Sequence, residues 1–200
     1  MHLKPGERQT DRTKTAITQA FTQLLRQKNY DAFTVNDIVR HANTGRSTFY
    51  RHFPSKADVL LSIHEEVFRR FNLGFQEAAD WLATQPPPAL TLFLTHLQQQ
   101  YATPGATLLV HLGKDADYLV RRIDELLVQQ CEVDLRRSFC ETESSIPFAV
   151  LARAIAGSYS WIIRWWFVEQ PDLSATEIAT QLHRVVRALI CEAFAQVGVR

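Results

Sequence analysis

Glycine is scarce in this chain, with seven in 200 residues, and no stretch alternates apolar with polar side chains in the period of two that a half-buried strand requires. A sheet-based architecture is therefore not expected. Cysteine is nearly absent too: Cys131, Cys140 and Cys191 are odd in number and show no Cys-x-x-Cys spacing, so they read as reduced thiols and exclude a disulfide framework or a thiolate zinc site. His64 beside Glu65, and His183 eight residues before Cys191, belong to no tight ligand cluster, so no metal is expected. Long apolar runs are missing as well. The nearest candidate, Trp161 to Val168, is interrupted by Arg164, which argues against a membrane span. No apolar stretch follows the first charges, so no secretory leader is expected and a cytoplasmic location is. The sequence also lacks a Gly-rich phosphate loop, a Ser/His/Asp set and a paired-carboxylate motif. Neither an enzyme nor a cofactor is expected.

What is present is the composition of an ordinary globular protein, 46% apolar and 22% charged. The formal net charge of +1 hides an asymmetry. Residues 1–56 carry ten Lys and Arg against four acids, a net of +6, whereas the rest carries twelve against seventeen, a net of −5. A basic head on an acidic body suggests that only the head meets a polyanion, with a scattered solvated surface as the alternative.

Helical periodicity recurs from end to end, giving an all-α reading. A first helix is expected from about Arg12 to Gln27, on a face of Ala16, Ile17, Ala20, Phe21, Leu24 and Leu25. Thr34 to Asp37 has the form of a capping box, behind which Val35, Ile38, Val39 and Ala42 make a short second helix. Asn43-Thr44-Gly45 is a turn, since Asn tolerates the left-handed conformation that ends a helix. A third short helix spans roughly Arg46–His52 with Phe49 and Phe53 inward, and Ser55 caps a long fourth. After the break at Pro86, Pro87 and Pro88, helices are expected at about 89–101, 106–113 and 116–140, with a polar loop at Glu141–Ser145. Two long apolar helices follow at about Pro147–Glu169 and Ser174–Val197.

Two short helices across a three-residue turn, braced by a third, make a helix-turn-helix, whose second helix enters the major groove of duplex DNA. Thr34, Asn43, Thr44, Gly45, Arg46, Ser47, Thr48, Tyr50, Arg51, His52 and Lys56 are the candidate DNA-binding residues. Arg46, Ser47 and Thr48 suit base edges, Arg forking onto guanine and Thr packing on a thymine methyl. Solvation or a phosphate contact for Arg46 stays open. Tyr50, Arg51, His52 and Lys56 are the types that hold phosphates, and the N–H groups at Thr34 and at Ser55-Lys56 offer anion sites. Lys4, Arg8 and Arg12 form an arm that either touches DNA or is idle.

Phe33 to Ala42, followed by Gly45 to Lys56 with its Thr48-Phe49-Tyr50-x-His52-Phe53-x-x-Lys56 spacing, resembles the DNA-binding head of the tetracycline-repressor (TetR) family of bacterial regulators. The resemblance covers about residues 12–62. Asn43 stands where a turn glycine is usual, and Ser47 where glycine is frequent, which leaves the base-contact pattern open. More loosely, Leu108 to Leu127 and Ala156 to Trp166 ahead of Ser174–Glu177 look like one C-terminal class of these regulators. The resemblance implies a head at 1–56 and a larger helical ligand-binding and dimerisation domain at 57–200. Its last two helices would pair with those of a second copy. Ile155, Tyr159, Ile162, Trp166, Leu182, Val185, Val186 and Leu189 give those helices more apolar surface than one core covers, and are the candidate dimer residues.

His96, His111, Tyr118, Arg153 and Trp161 are candidates to touch a small-molecule effector, although Trp161, with Trp165 and Trp166, also reads as part of a subunit contact. The expected protein is a homodimeric, ligand-responsive repressor on a pseudo-palindromic operator. The effector would shift the population toward an arrangement that moves the fourth helix and no longer fits DNA. Two alternatives stand beside it: a ligand-independent DNA-binding regulator whose C-terminal domain only dimerises, and a small-molecule-binding helical protein without specific DNA binding.

Overall fold

The computed structural model describes residues 5–71, 74–101 and 115–195. All regular structure among the described residues is helical: α1 Pro5–Gln27, α2 Val35–His41, α3 Arg46–His52, α4 Lys56–Phe71, α5 Ala78–Leu82, α6 Pro88–Tyr101, α7 Ala116–Ser138, α8 Phe148–Glu169 and α9 Ala175–Ala193. Single 3-10 turns at Tyr30–Ala32 and Glu141–Glu143 lead into α2 and α8. The expected helix at 106–113 lies outside the described residues. No described helix is long and apolar enough to cross a membrane.

The chain divides into two compact units. Among the described residues the first holds those up to Val67 and 115–119, and the second holds 68–101 and those from Val120 on. The division falls inside α4 and α7.

In the first unit Ile17, Ala20, Phe21 and Leu24, at the spacing of one helical face, bury α1 among Ile38, Phe49 and Phe53. Phe21 meets Tyr30 and Phe33 edge-on at centroid separations of 6.3 and 5.4 Å. α2 begins at the expected capping box: the Thr34 N–H donates to Asp37 at 2.8 Å and the Asp37 N–H to the Thr34 hydroxyl at 3.4 Å.

In the second unit α9 packs against α5, α6 and α8, burying Ile178, Leu182, Val186 and Ile190 along one face. α5 is too short to show a period in the sequence. Its anchor is Trp81, stacked on Phe75 at 4.2 Å, with the indole N–H donated to Ser138 at 3.0 Å. The open carbonyls at the end of α5 are met from α9, where His183 Nε2 donates to Ala83 at 2.7 Å and Arg187 Nε to Leu82 at 2.9 Å. The Leu173 carbonyl, ahead of α9, accepts from Trp166 at 2.8 Å and Gln98 at 3.2 Å. Ser160 of α8 donates to Asp124 of α7. Buried Asp134 accepts from Gln130 and Arg137 at 2.9 and 2.6 Å, and burial still pushes its carboxyl pKa up.

Pro147 is the residue before α8 rather than its first; Glu141 accepts the Phe148 N–H at 3.1 Å and so closes that helix end.

The candidate dimer residues need correction. Ile155, Tyr159, Trp166, Leu182 and Val186 are buried within a single chain, since α8 and α9 pack these sides on each other and on α6. Ile162 and Leu189 are half-buried, and Val185 is exposed. The face left open is a helical stripe of Val150, Trp161, Trp165 and Val168 on α8, beside Val185 of α9. Gly157 lies on the same stripe, and a Cβ there would meet no atom within 4 Å.

The capping carboxylates generate a pH prediction. Hydrogen bonds from Ser174, side chain first, hold Glu177 below its ordinary pKa, and those from Thr34, backbone first, do so for Asp37. A depressed folded pKa gives stability that is present above the unfolded value, near 4, and is lost as pH falls through the folded one. Thermal unfolding from pH 7 to about pH 2 is expected to show the wild type weakening below roughly pH 4. Glu177→Gln, which keeps an acceptor, loses less over that window.

Candidate nucleic-acid interface

Seven residues of α3 are too few to be helical alone; what fixes them is the burial of Phe49, wholly enclosed, and of Phe53. With those two inward, Arg46, Ser47, Tyr50 and Arg51, at i, i+1, i+4 and i+5, share the opposite face, and all are exposed. Tyr50 retains 48% of its surface, its ring edge-on to Phe49 at 5.4 Å.

The turn ahead of α3 follows the expected chemistry. Asn43 has φ of 47°, the left-handed conformation a non-glycine residue adopts most readily when it is Asn, and the Thr44 N–H returns to the Val39 carbonyl at 3.0 Å. Gly45 is extended, with φ of −88° and ψ of 155°. Thr44 and Thr48 are half-buried beside it and Thr34 is exposed, its hydroxyl donated to Asp37 at 2.8 Å.

Two candidates for phosphate contact are turned away. The Lys56 ammonium donates to the Tyr30 and Phe33 carbonyls at 2.8 and 3.0 Å and lies 3.8 Å from the centroid of the Tyr30 ring. It ties the start of α4 to the entry of α2. His52 buries Nε2 without a partner, and desolvation, then the charges of Arg51 and Lys14, lower its pKa. Ser55 does cap α4, its hydroxyl accepting the Asp58 N–H at 3.3 Å and donating to the Asp58 carboxylate at 2.7 Å.

The effector candidates fall in both units. Tyr118 belongs to the first unit and donates to Asp58 at 3.1 Å. Arg153 is exposed and pairs with Glu132 at 3.6 Å. Trp161 is 71% exposed, with the Arg164 guanidinium over its ring at 4.7 Å. These last two stand in solvent because the opposite side of α8 forms the core. His96 is half-buried on α6, and His111 lies outside the described residues. Among the described residues no three His, Cys, Asp or Glu side chains gather to hold a metal ion. Tyr30, Asp58 and Asp115 escaped sequence reasoning; their partners lie up to 85 residues away.

Comparison with known proteins agrees with this geometry. Residues 17–63 match the model of the bacterial regulatory proteins of the tetR family. The HTH-type transcriptional regulator EthR of Mycolicibacterium smegmatis is 34% identical over 80 residues, which are 40% of this chain and 37% of that one. The chain thus spans little more than a third of that relative's length. The structure of a TetR transcriptional regulator from Streptococcus agalactiae superposes with a TM-score of 0.52 at 25% identity, covering 90% of this chain and 97% of its own. FadR of Thermus thermophilus, a TetR-family repressor in complex with lauroyl-CoA, gives 0.61 at 18%, covering 90% and 94%.

Replacing Lys56 by Met keeps the aliphatic stem and removes the ammonium. Urea unfolding is expected to register a loss of about 2 kcal/mol, the scale of hydrogen bonds to a charged group. The salt dependence of DNA binding is expected to stay as in the wild type.

Proposed function

We propose, from the premise that this chain belongs to the tetR family of bacterial regulatory proteins and is a transcriptional regulator, that it is a non-enzymatic, effector-released repressor that binds a pseudo-palindromic operator as a homodimer in the cytoplasm. What carries the proposal is the outward face of α3. Arg46 leads it, where a guanidinium forks onto guanine O6 and N7, while Ser47 follows within reach of a neighbouring base edge. Tyr50 and Arg51, one turn on, grip phosphates and set the register. Thr34, Thr44 and Thr48 supply further polar contacts along the groove wall.

Dimerisation uses the stripe left uncovered on α8 and α9. Trp161, Trp165, Val168 and Val185 supply the apolar area, and Gly157 permits close approach of a partner helix. Two-fold pairing of that stripe sets two α3 helices against successive major-groove segments, and the operator takes the same symmetry. An effector held in the second unit releases the DNA by favouring another arrangement of the heads. Support for an effector comes from the Thermus FadR, which shares the fold and carries lauroyl-CoA.

Selection of bound fragments from random duplex DNA tests the proposal directly. Enriched sequences are expected to hold two inverted half-sites, and Arg46→Ala is expected to relax preference at one base position in each. A uniform loss of affinity with unchanged preference would remove Arg46 from base reading. With Lys56 and His52 turned inward, Tyr50 and Arg51 remain to meet phosphates, about two per head or about four per dimer, so log K should fall with log[salt] at a slope of roughly −4.

A further inference from the structure

We infer that Asp115 and Tyr118, at the start of α7, are positioning residues of the DNA-reading head: they clasp the helix-turn-helix at both its entry and its exit. The inference rests on the regulator proposed above and deepens it by naming the side chains through which the head is held.

The entry is the 3-10 turn at Tyr30–Ala32, which leads through Phe33 to the cap of α2. Tyr30 is 2% exposed, locked by edge-on contacts with Phe21 and Phe33, and a hydroxyl so enclosed needs a partner. It donates to the Asp115 carboxylate at 2.7 Å. The exit is the first turn of α4. There Asp58 accepts from Ser55 on one oxygen, at 2.7 Å, and from the Tyr118 hydroxyl on the other, at 3.1 Å. Lys56 joins exit to entry, its ammonium on the Tyr30 and Phe33 carbonyls. The result is a closed circuit: Asp115 to Tyr30, Tyr30 to Lys56, Lys56 along α4 to Asp58, and Asp58 to Tyr118.

Asp115 and Tyr118 are one helical turn apart, so two bonds fix the place and the rotation of that segment against the head. Between the two gripped points lie α2, the Asn43 turn and α3. α7 continues from the clasp to Ser138. A displacement of its first turn therefore either carries both ends of the helix-turn-helix or breaks two hydrogen bonds. Burial and then the Asp115 bond raise the Tyr30 phenol far above its ordinary pKa, so the donor keeps its proton throughout the working pH range. A DNA-reading unit ending at residue 56 or 67 lacks this support.

The test uses the full chain and the duplex obtained by selection. Tyr30→Phe with Tyr118→Phe keeps every ring and removes only the two hydroxyls. Its DNA affinity is expected to fall about tenfold, the scale of one or two net hydrogen bonds. Asp115→Ala is expected to fall about as far as Tyr30→Phe alone, whereas Asp115→Asn, which retains an acceptor, is expected to stay within about threefold of wild type. A loss in Asp115→Asn as large as in Asp115→Ala would overturn the hydrogen-bond clasp.

Hydrogen exchange supplies the readout that a merely stabilising role would not move. Duplex is expected to protect the amides of 116–123 in the wild type and not in the double Phe variant. Equal protection and equal affinity in both would overturn the inference. Should the wild type select no duplex, the regulator proposal falls instead. The clasp is then scored in the free protein, where exchange at 116–119 is expected to quicken about tenfold in the double variant; unchanged exchange would overturn it.

Discussion

The outward face of α3 depends on one packing contact: the ring of Phe49, wholly enclosed on the inner side of the same helix. A helix of seven residues gains too few hydrogen bonds to offset its nucleation cost. Burial of an aromatic ring, worth roughly 2–3 kcal/mol, together with Phe53, is what holds it folded. Because Phe49 can face only inward, the rest of α3 is determined by helical geometry. Arg46, Ser47, Tyr50 and Arg51 must point out. The functional side chains are thus free to be chosen for DNA, while the fold is secured from the opposite side of the same short helix.

A second constraint concerns charge. A basic head needs its cations at the surface that meets DNA, yet the head withdraws Lys56, whose ammonium satisfies two backbone carbonyls and sits on the Tyr30 ring. The head thus gives up a phosphate ligand for a brace between α4 and the entry to α2. His52 likewise buries its Nε2. What remains outward on α3 is Arg46 and Arg51, the two cations of the proposed DNA contact, with the hydroxyl groups of the turn beside them. The same brace is part of the circuit that reaches Asp115 and Tyr118, so loosening at α7 and loosening at the recognition helix share a set of bonds.

Much of this was legible from residue order. Period and capping chemistry mark α2 and α3 closely, since Thr34 and Asp37 make a local box and Asn43 a local turn, whereas α1 begins at Pro5, well ahead of the apolar face that signals it. The same logic placed α6, α8 and α9. α5 was not legible, because five residues carry no period and Trp81 reveals its role only against Phe75 and Ser138. The open α8–α9 face was misassigned for a related reason. An apolar helix side records that something covers it, not whether the cover is the same chain or a second copy, so Leu182 and Val186 read as a dimer surface and are core. A lysine beside a DNA motif carries no mark of the carbonyls that hold Lys56. Tyr118 was placed with the effector, since nothing in local sequence ties it to Asp58.

The most direct measurement is a titration of the selected duplex into uniformly 15N-labelled protein, followed by amide chemical shifts. The account predicts the largest changes at Thr34 and at Thr44 to Arg51, with much smaller ones at α9. Perturbations centred on α8 and α9, with α3 unmoved at saturating duplex, would contradict it.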